Sequence, residues 1–328
     1  MCRESNSHLV GPMEQSENLP ICIIVTTYNR RDTTRRFLES LILQLQQFNI
    51  PATVVIVDDA SSDGTAEMVM KEFPKIVLLH GTGQLYWAGG VRLAINHLSK
   101  KLNDFRGILL INDDVVLAEE SISSMIEIAE KHDALIGGTV VTYSGEIESS
   151  GSSLGLICKP KPKIKIANGE IQDCDLLPGH IMYIPMSIYR RLGGFDKNLP
   201  YRFIDLEFSL RAKRAGIRVL LAPRVVAFTD KVHSYYEETA SKRGTLSGLV
   251  KKILLDPKGP IGERALTTSK KYLQFFGGCG YLSFTEHSSL RYLEVILKNY
   301  HLLEILLPPL HLKNEFARSS CSTQPNGW

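Results

Sequence analysis

Two clusters of acidic residues follow apolar stretches that are typical of buried strands. Asp58 and Asp59 come directly after Ala52–Val57, and Asn112–Asp114 comes directly after Gly107–Ile111. The carboxyl ends of parallel strands meet at one edge of a sheet, which is where open α/β sheets bind their ligands. Carboxylates gathered in one crevice repel each other unless a cation or a ligand rich in hydrogen-bond donors offsets their charge. The spacing therefore indicates a binding site for such a partner at this edge.

The sheet that would hold these residues is predicted from short apolar runs that alternate with stretches of helical periodicity. The predicted strands are Ile21–Thr27, Ala52–Val57, Ile76–His80 and Gly107–Ile111, and the predicted helices are Asp32–Phe48, Asp63–Phe73 and Val91–Leu102. Regular strand–helix alternation implies parallel strands joined by right-handed crossovers, with helices on both faces. We therefore expect an α/β fold with a mostly parallel sheet.

The alternation stops after Thr142. The segment up to Asp175 is rich in Gly, Ser, Pro and Lys, a composition that predicts hairpins or a long loop. Helical patterns return at Ser187–Leu192 and Leu206–Ala215, and a further strand is predicted at Arg218–Ala222.

Changes in composition divide the chain into three parts. Residues 1–19 are polar and predict a flexible tail, residues 20–230 form the α/β part, and residues 231–328 predict a mainly helical extension. Within the extension, Leu290–Leu307 carries an apolar stripe at helical spacing. Such a stripe usually packs on the parent domain, and peripheral docking at the inner face of a membrane is the alternative.

The overall composition excludes several classes of protein. Of the 328 residues, 44% are apolar and 22% are charged, which is typical of globular proteins and not of disordered or fibrous chains. A net charge of +3 is too small for a protein that binds nucleic acid through its phosphates. The six cysteines are scattered, so neither a zinc site nor a disulfide scaffold is indicated. The first residues do not resemble a signal peptide and no apolar run could span a bilayer, so we expect a cytoplasmic protein.

Five segments resemble, in order and spacing, the motifs of the family 2 glycosyltransferases, which have the GT-A fold. They are IIVTTYNR, VIVDDASSDGT, GQLYWAGGVRLAIN, LLINDDVVL, and LGGFD followed by FIDLEFSLRAKRAG, and they cover about Pro20 to Asp230. The resemblance implies a GT-A catalytic domain over residues 20–230. It also implies an inverting enzyme that uses a nucleotide-diphospho-sugar donor and a divalent cation, Mg²⁺ or Mn²⁺.

The resemblance assigns the donor site to residues from four of these segments. They are Thr27, Tyr28, Arg30, Asp58, Asp59, Trp87, Gly89, Gly90, Arg92 and Asp113. A carboxylate such as Asp58 or Asp59 suits a nucleoside because it accepts hydrogen bonds from a uracil or thymine N3–H and from hydroxyls. Glycines in the Trp87–Gly90 segment would let the backbone approach a diphosphate, and the N-terminus of the helix predicted to follow favours anions.

Asn112–Asp114 resembles the D-x-D metal motif of the family, with Asn in the first acidic position. The resemblance makes Asp114 the metal ligand and Asp113 a contact to ribose or to the donor sugar. Many relatives have a metal-binding His shortly after the strand that corresponds to Val225–Phe228. Here that region contains Asp230, and His233 comes slightly later, so Asp230, His233 or neither is the second protein ligand.

The resemblance also places an acceptor pocket and a catalytic base. His180, Asp196 and Glu207 are assigned to the acceptor, with a hydrogen-bonded structural role as the alternative for His180. Asp205 matches the position of the general base of the family, with Glu207 as second candidate and helix capping as the alternative. Glu207 and Arg211 are spaced for an i,i+4 ion pair on a helix.

The predicted function is transfer of one sugar to a hydroxyl of a saccharide or lipid-linked acceptor, for example in a cell-surface glycan. A nucleotidyltransferase is an alternative, but it should have a glycine-rich loop after the first strand, and Thr26–Arg30 has no glycine. A phosphorylation-receiver module would carry its acidic pair after the first strand, whereas Asp58 and Asp59 follow the second. A catalytically inactive sugar-nucleotide-binding protein is a further alternative, because of Asn112 and the displaced His.

Overall fold

The computed structural model describes residues 19–153, 163–197, 199 and 204–230. These residues belong to one compact unit of the chain, which comprises Met1–Leu156 and Pro160–Lys242. The predicted tail, apart from its last residue, and the predicted helical extension 231–328 lie outside the described residues. Within the described part, no helix is both long and apolar enough to cross a membrane.

Twelve strands occur within the described residues, and ten of them form one sheet. Their bounds are β1 Ile21–Thr27, β2 Ala52–Asp58, β3 Val77–His80, β4 Gly107–Ile111, β5 Val116–Leu117, β6 Ala134–Thr142, β7 Ile147–Ser149, β8 Ser152–Ser153, β9 Lys163–Ile164, β10 Gln172–Asp173, β11 Ile181–Pro185 and β12 Arg218–Thr229. Hydrogen-bonded neighbours along the sheet follow the order β10-β12-β6-β11-β4-β1-β2-β3, with β5 on β12 and β7 on β6. The strands β8 and β9 form a separate pair.

Parallel pairing links the strands on each side of β11. The strand β1 pairs in parallel with β2 and β4, β2 pairs with β3, and β6 pairs with β12. The strand β11 is the main exception, because it lies antiparallel between β4 and β6. The expected α/β fold with a mostly parallel sheet is therefore confirmed.

Helices cover both faces of this sheet. Their bounds are α1 Arg31–Gln47, α2 Thr65–Glu72, α3 Tyr86–Leu98, α4 Ser121–His132, α5 Met186–Arg191 and α6 Ile204–Arg214. Successive side chains of a strand point to opposite faces, so a central strand covered on both faces buries residues on both sides. In β1, Ile21 and Ile23 belong to the core formed with α1, α2 and α4, whereas Cys22 and Ile24 belong to the core formed with α3, α5 and α6.

The first part of the chain follows the sequence prediction closely. The strands β1 and β4 have their predicted bounds, and β2 extends one residue further, to Asp58. The helix predicted at Val91–Leu102 instead occupies Tyr86–Leu98. The Trp87–Gly90 segment therefore lies inside α3 and does not form a loop ahead of it. Two adjacent glycines, which are poor helix formers, conceal the start of this helix in the sequence.

Later elements differ more from the prediction. The sequence pattern predicts neither α4 nor β11. The antiparallel pairs β6–β7 and β8–β9 agree with the predicted hairpins, whereas β10 pairs with the distant β12. The strand β12 continues to Thr229, well past the predicted end at Ala222. Its register against β6 shifts between Leu221 and Val225, around Pro223. Proline has no N–H to donate to a ladder, so it marks an irregularity in the strand and not its end.

Candidate active site

The polar residues predicted to act together meet at the carboxyl edge of β1, β2 and β4. In the parallel register, Thr27 at the end of β1 lies beside Asp58 at the end of β2. Tyr28, which follows Thr27, is exposed at this edge, and Thr27 itself is buried. The structure thus brings the first two predicted donor motifs to one place.

Arg30 links this edge to the acidic cluster that follows β4. Its Nη1 atom lies 2.8 Å from Oδ1 of Asp113 and 3.0 Å from Oδ2 of Asp114. Both carboxylates are buried, whereas the Arg30 side chain keeps 32% of its surface exposed. The guanidinium offsets the repulsion between two adjacent buried carboxylates, which would otherwise be costly.

Asp113 faces the start of α1. Its Oδ2 atom accepts a hydrogen bond from Oγ1 of Thr34 at 3.2 Å, and the Thr27 and Thr34 hydroxyls are 2.9 Å apart. Burial is the largest influence on Asp113 and raises its pKa, while the charge of Arg30 acts in the opposite direction. Asp113 therefore joins β1, α1 and Arg30 at the base of the site. Sequence reasoning missed Thr34, although its place four residues after Arg30 put it in the first turn of the predicted helix.

Asp114 faces the start of β11. Its backbone oxygen accepts a hydrogen bond from Oγ1 of Thr229 at 2.8 Å, and its Oδ1 atom lies 3.6 Å from Nε2 of His180. The backbone N–H of Asn112 donates to the carbonyl oxygen of His180 at 3.0 Å. The sequence assigned His180 to the acceptor pocket, whereas the structure brings its imidazole to the metal motif. That proximity depends on β11, which the sequence pattern does not predict.

Asp205, the predicted base, is held at the start of α6. Its Oδ2 atom accepts a hydrogen bond from the backbone N–H of Gly179 at 2.6 Å. As a residue Asp205 is half-buried, but its carboxyl group is enclosed, and burial raises the pKa of Asp205. The Trp87 ring lies against Gly179 so closely that a Cβ at position 179 would overlap it, and that Cβ would also lie 3.2 Å from Cβ of Asp205. Trp87 thus covers the backbone next to the predicted base.

The carboxylates of Asp58 and Asp59 hold neighbouring loops. Asp59 accepts hydrogen bonds from three backbone N–H groups, those of Gly83 at 2.8 Å, Leu85 at 2.9 Å and Tyr86 at 3.1 Å. Asp58 accepts from the hydroxyl of Ser61 and, at 3.2 Å, from the backbone N–H of the same residue. Both predicted nucleoside contacts are therefore also structural, since they fix the loops that border the crevice.

The residues of α3 that were predicted to bind the donor make different contacts. Gly89 donates its N–H to the carbonyl oxygen of Leu85 at 3.0 Å, and Gly90 allows close packing on β1, because a Cβ there would lie 2.6 Å from Cγ2 of Thr26. Arg92 Nη1 donates to the carbonyl oxygen of Leu199 at 2.7 Å. Burial lowers the pKa of Arg92, and the negative charge of Asp196 opposes that effect. Arg92 and Asp196, assigned from sequence to donor and acceptor, are therefore neighbours.

Glu207 forms the predicted i,i+4 ion pair with Arg211. The pair is bidentate, with Nε donating to Oε1 at 2.8 Å and Nη2 donating to Oε2 at 2.9 Å, and only 5% of the Glu207 side chain is exposed. Arg211 also donates to the carbonyl oxygens of Leu192 and Gly194, the latter at 2.7 Å. Glu207 thus anchors the turn after α5.

Of the two residues proposed from sequence as a second metal ligand, the structure describes Asp230, which pairs with Arg36. Asp230 is 51% exposed, and its Oδ2 atom lies 2.8 Å from Nη1 of Arg36 on α1. His233 lies outside the described residues. Among the side chains that the structure describes, no group of three His, Cys, Asp or Glu residues converges as a complete metal site.

The donor set nevertheless fits a hard divalent cation. Mg²⁺ sites commonly contain one or two protein carboxylates, with substrate phosphates and water as the remaining ligands. Two atoms that are each about 2.1 Å from one ion lie at most about 4.2 Å apart. The 3.6 Å between Oδ1 of Asp114 and Nε2 of His180 falls within that limit.

Residues 22–192 match the family model described as glycosyl transferase family 2. A similar curated protein, from two strains of Mycobacterium tuberculosis, is N-acetylglucosaminyl-diphospho-decaprenol L-rhamnosyltransferase. It is 22% identical over 244 residues, which are 67% of this chain and 78% of that protein.

Among solved structures, GalNAc-T7 with UDP, GalNAc and Mn²⁺ aligns with a TM-score of 0.54 and 14% identity, over 89% of this chain and 59% of that one. The chain therefore spans less than two thirds of GalNAc-T7. S. aureus TarS 1-349 aligns with a TM-score of 0.49 and 14% identity, over 85% and 78% of the two chains.

Proposed function

Since the chain belongs to glycosyl transferase family 2, we propose that it transfers a sugar with inversion, and that Asp205 is the base and Asp114 the principal protein ligand of a divalent cation. One observation carries the proposal. Gly179 and His180 are consecutive, and they contact the two functional carboxylates, Asp205 through the N–H of Gly179 and Asp114 through the His180 ring. The proposed base and the proposed cation-binding carboxylate are therefore both held next to one short segment of the chain.

The proposed chemistry of Asp205 follows from its enclosure. In an inverting transfer, the acceptor oxygen attacks the anomeric carbon from the side opposite the departing nucleoside diphosphate. The hydroxyl proton passes to a carboxylate within hydrogen-bond reach as the new C–O bond forms and the bond to the diphosphate breaks. Burial raises the pKa of Asp205, which makes its carboxylate a better proton acceptor than an exposed one.

The donor side of the site would bind the diphosphate. A bound Mg²⁺ or Mn²⁺ ion would offset the charge that the diphosphate gains as it leaves. Asp114 would hold that ion, and Arg30 would keep both carboxylates of the pair in place through its contacts of 2.8 Å and 3.0 Å. Thr27, Tyr28 and Asp58 would border the nucleoside at the ends of β1 and β2.

The acceptor is proposed from the named relative. That protein, by its name, acts on N-acetylglucosaminyl-diphospho-decaprenol, a saccharide carried on a lipid diphosphate. We propose the same class of acceptor here, a lipid-linked saccharide used for a cell-surface glycan. The peripheral contact with a membrane that the sequence suggests for residues 231–328 concerns residues outside the described ones, and it stays a prediction.

The test replaces Asp205 by Asn in the full chain. UDP-, GDP- and dTDP-sugars are first screened for thermal stabilisation with Mn²⁺ present, since a bound donor raises the melting temperature by mass action. Asp205→Asn keeps the shape of the side chain but accepts no proton. It should lower turnover by about 10²-fold or more and leave the donor-induced stabilisation intact. Asp173→Asn, which changes an exposed carboxylate paired with Arg218, is the matched control and should keep turnover.

Three results would contradict the proposal. Normal transfer by Asp205→Asn together with an inactive Glu207→Gln would move the base to Glu207. Normal transfer by both variants would exclude an inverting mechanism with Asp205 or Glu207 as the base. Donor binding without any transfer or hydrolysis in the wild type would favour the inactive sugar-nucleotide-binding protein.

A further inference from the structure

We propose that His180 is the second protein ligand of the divalent cation, through Nε2, and that it gives the site a preference for Mn²⁺ over Mg²⁺. The inference rests on the metal-dependent function proposed above. The sequence assigned His180 to the acceptor pocket, whereas this inference assigns it to the donor side of the site. The nitrogen ligand then comes from the start of β11, and not from His233, which follows β12.

The distance between the two side chains carries the proposal. Nε2 of His180 lies 3.6 Å from Oδ1 of Asp114. This is longer than an N–H···O hydrogen bond, which spans about 2.7 to 3.2 Å. It is shorter than the limit of about 4.2 Å for two atoms that share one small divalent ion. The separation is too long for a hydrogen bond between the two atoms, and it lies within the range of an ion pair and within that of two ligands of one ion.

The two oxygens of Asp114 contact different groups. Oδ2 accepts a hydrogen bond from Arg30 Nη1 at 3.0 Å, while Oδ1 is the oxygen near His180. The backbone oxygen of Asp114 accepts from Thr229 at 2.8 Å. The residue is thus held at its backbone and at one carboxylate oxygen, and the second oxygen is turned toward the imidazole. An ion bound between Oδ1 and Nε2 leaves the contact with Arg30 in place.

His180 is held equally firmly by backbone hydrogen bonds. Its carbonyl oxygen accepts from the N–H of Asn112 at 3.0 Å, and the pairing continues into the sheet with Ile181 opposite Ile111. Only 10% of the His180 side chain is exposed. A nearly buried imidazole on a backbone held by the sheet loses little freedom when it binds an ion. Preorganisation of this kind favours affinity.

The nitrogen ligand also bears on the choice of metal. Mg²⁺ prefers sites made entirely of oxygen ligands, whereas transition metals accept imidazole more readily. An Asp and a His from the protein, with phosphate oxygens from the donor, therefore favour Mn²⁺ over Mg²⁺. Asp230, the oxygen alternative, is paired with Arg36 at 2.8 Å.

The experiment uses the full chain and Mn²⁺ alone. Mn²⁺ affinity is measured by electron paramagnetic resonance, and the ligands are identified by electron spin-echo envelope modulation, which detects a directly bound imidazole nitrogen. The wild type should show ¹⁴N modulation that changes when the protein is prepared with ¹⁵N-histidine. His180→Gln should lose that modulation, bind Mn²⁺ about 10-fold or more weakly, and lose the preference for Mn²⁺ over Mg²⁺. His132→Gln, at the end of α4, is the control and should retain all three properties.

The outcomes separate this inference from the proposed function. If wild-type protein binds Mn²⁺ without histidine modulation, His180 is not a ligand, whatever the variants do. If the modulation survives in His180→Gln and disappears in His233→Gln, the ligand is His233. In both of these cases His180 is not a ligand. Loss of Mn²⁺ binding in Asp114→Asn would still support the proposed metal site at Asp114. If His180→Gln raises only the KM for acceptor, its role is in the acceptor pocket. If the wild type binds no Mn²⁺, both the metal dependence and the inference are wrong.

Discussion

At the scale of single residues, the enclosure of Asp205, the proposed base, gives an expectation for how activity depends on pH. A general base acts in its ionised form, so activity falls as pH drops through its pKa. Burial raises the pKa of Asp205 above the usual aspartate value of about 3.9. The acidic limb of the kcat/KM profile should therefore lie at higher pH than for an exposed aspartate.

The Trp87 ring offers a matched pair of variants for that prediction, because it covers Gly179 beside Asp205. Trp87→Ala should admit water, lower the pKa of Asp205 and move the acidic limb to lower pH. Trp87→Phe keeps an apolar cover and should leave the limb close to its wild-type position. The position of the limb is measured, so a general loss of rate does not affect the result. An acidic limb that stays in place in Trp87→Ala would show that Trp87 does not set the environment of the base.

The sequence indicates most of the individual site residues but not what each one contacts. Asp113, Asp114 and Asp205 are recognisable because their motifs place them at strand or helix ends. Asp59 looks like a ligand-binding residue in the same way, yet its carboxylate accepts three backbone N–H groups of the loop before α3. The neighbourhood of Asp114 and His180 depends on an antiparallel strand pair between residues far apart in sequence, and periodicity carries no information on such pairing.

At the scale of elements, the stability of α6 and of the turn that precedes it depends on one ion pair. Arg211 joins the buried Glu207 to the carbonyl oxygens of Leu192 and Gly194. Arg211→Met would leave a buried carboxylate without its partner, a change that usually costs about 3 to 5 kcal/mol. Because 28% of the Arg211 side chain is exposed, we expect the free energy of unfolding, measured with urea, to fall by about 2 to 4 kcal/mol.

The control for this prediction is Arg218→Met, which breaks an exposed pair with Asp173 and should cost less than about 1 kcal/mol. Adding Glu207→Leu to Arg211→Met should recover the part of the loss that comes from the unpaired carboxylate. Equal effects of Arg211→Met and Arg218→Met would mean that Glu207 is solvated in solution.

A strand or helix can be predicted from sequence when the pattern that indicates it lies within the element itself. The strands β1, β2 and β4 were predictable because each is a continuous apolar run with polar residues after it. The helix α3 begins five residues before its predicted start, because Gly89 and Gly90 weaken the helical pattern, although Gly90 is what allows α3 to approach Thr26. The strand β11 is a run of five buried residues without alternation, and such a run does not reveal the direction of pairing.

At the scale of the whole molecule, the described contacts of the donor side lie between Thr27 and Asp230. We therefore propose that a chain ending at Lys242, the end of the compact unit that contains the described residues, keeps donor binding. Thermal stabilisation by the best sugar nucleotide with Mn²⁺ should match that of the full chain, while transfer to acceptor should fall. The same truncated chain with Asp114→Asn is the control and should lose the stabilisation. Loss of donor binding in a folded truncated chain would show that residues beyond 242 help to form the donor site.

The position of β11 in the sheet also sets the order in which a growing chain can fold on the ribosome. The strands β1 to β4 pair among themselves and can associate once Ile111 has emerged. The strand β6 is made after β5 and α4, but its neighbour on the side of β4 is β11, which is completed only at Pro185. Until then β6 presents an apolar edge that is open to chaperones or to wrong partners. Asp114 is thus synthesised well before His180, and Gly179 well before Asp205, so the contacts of the site are completed late in synthesis.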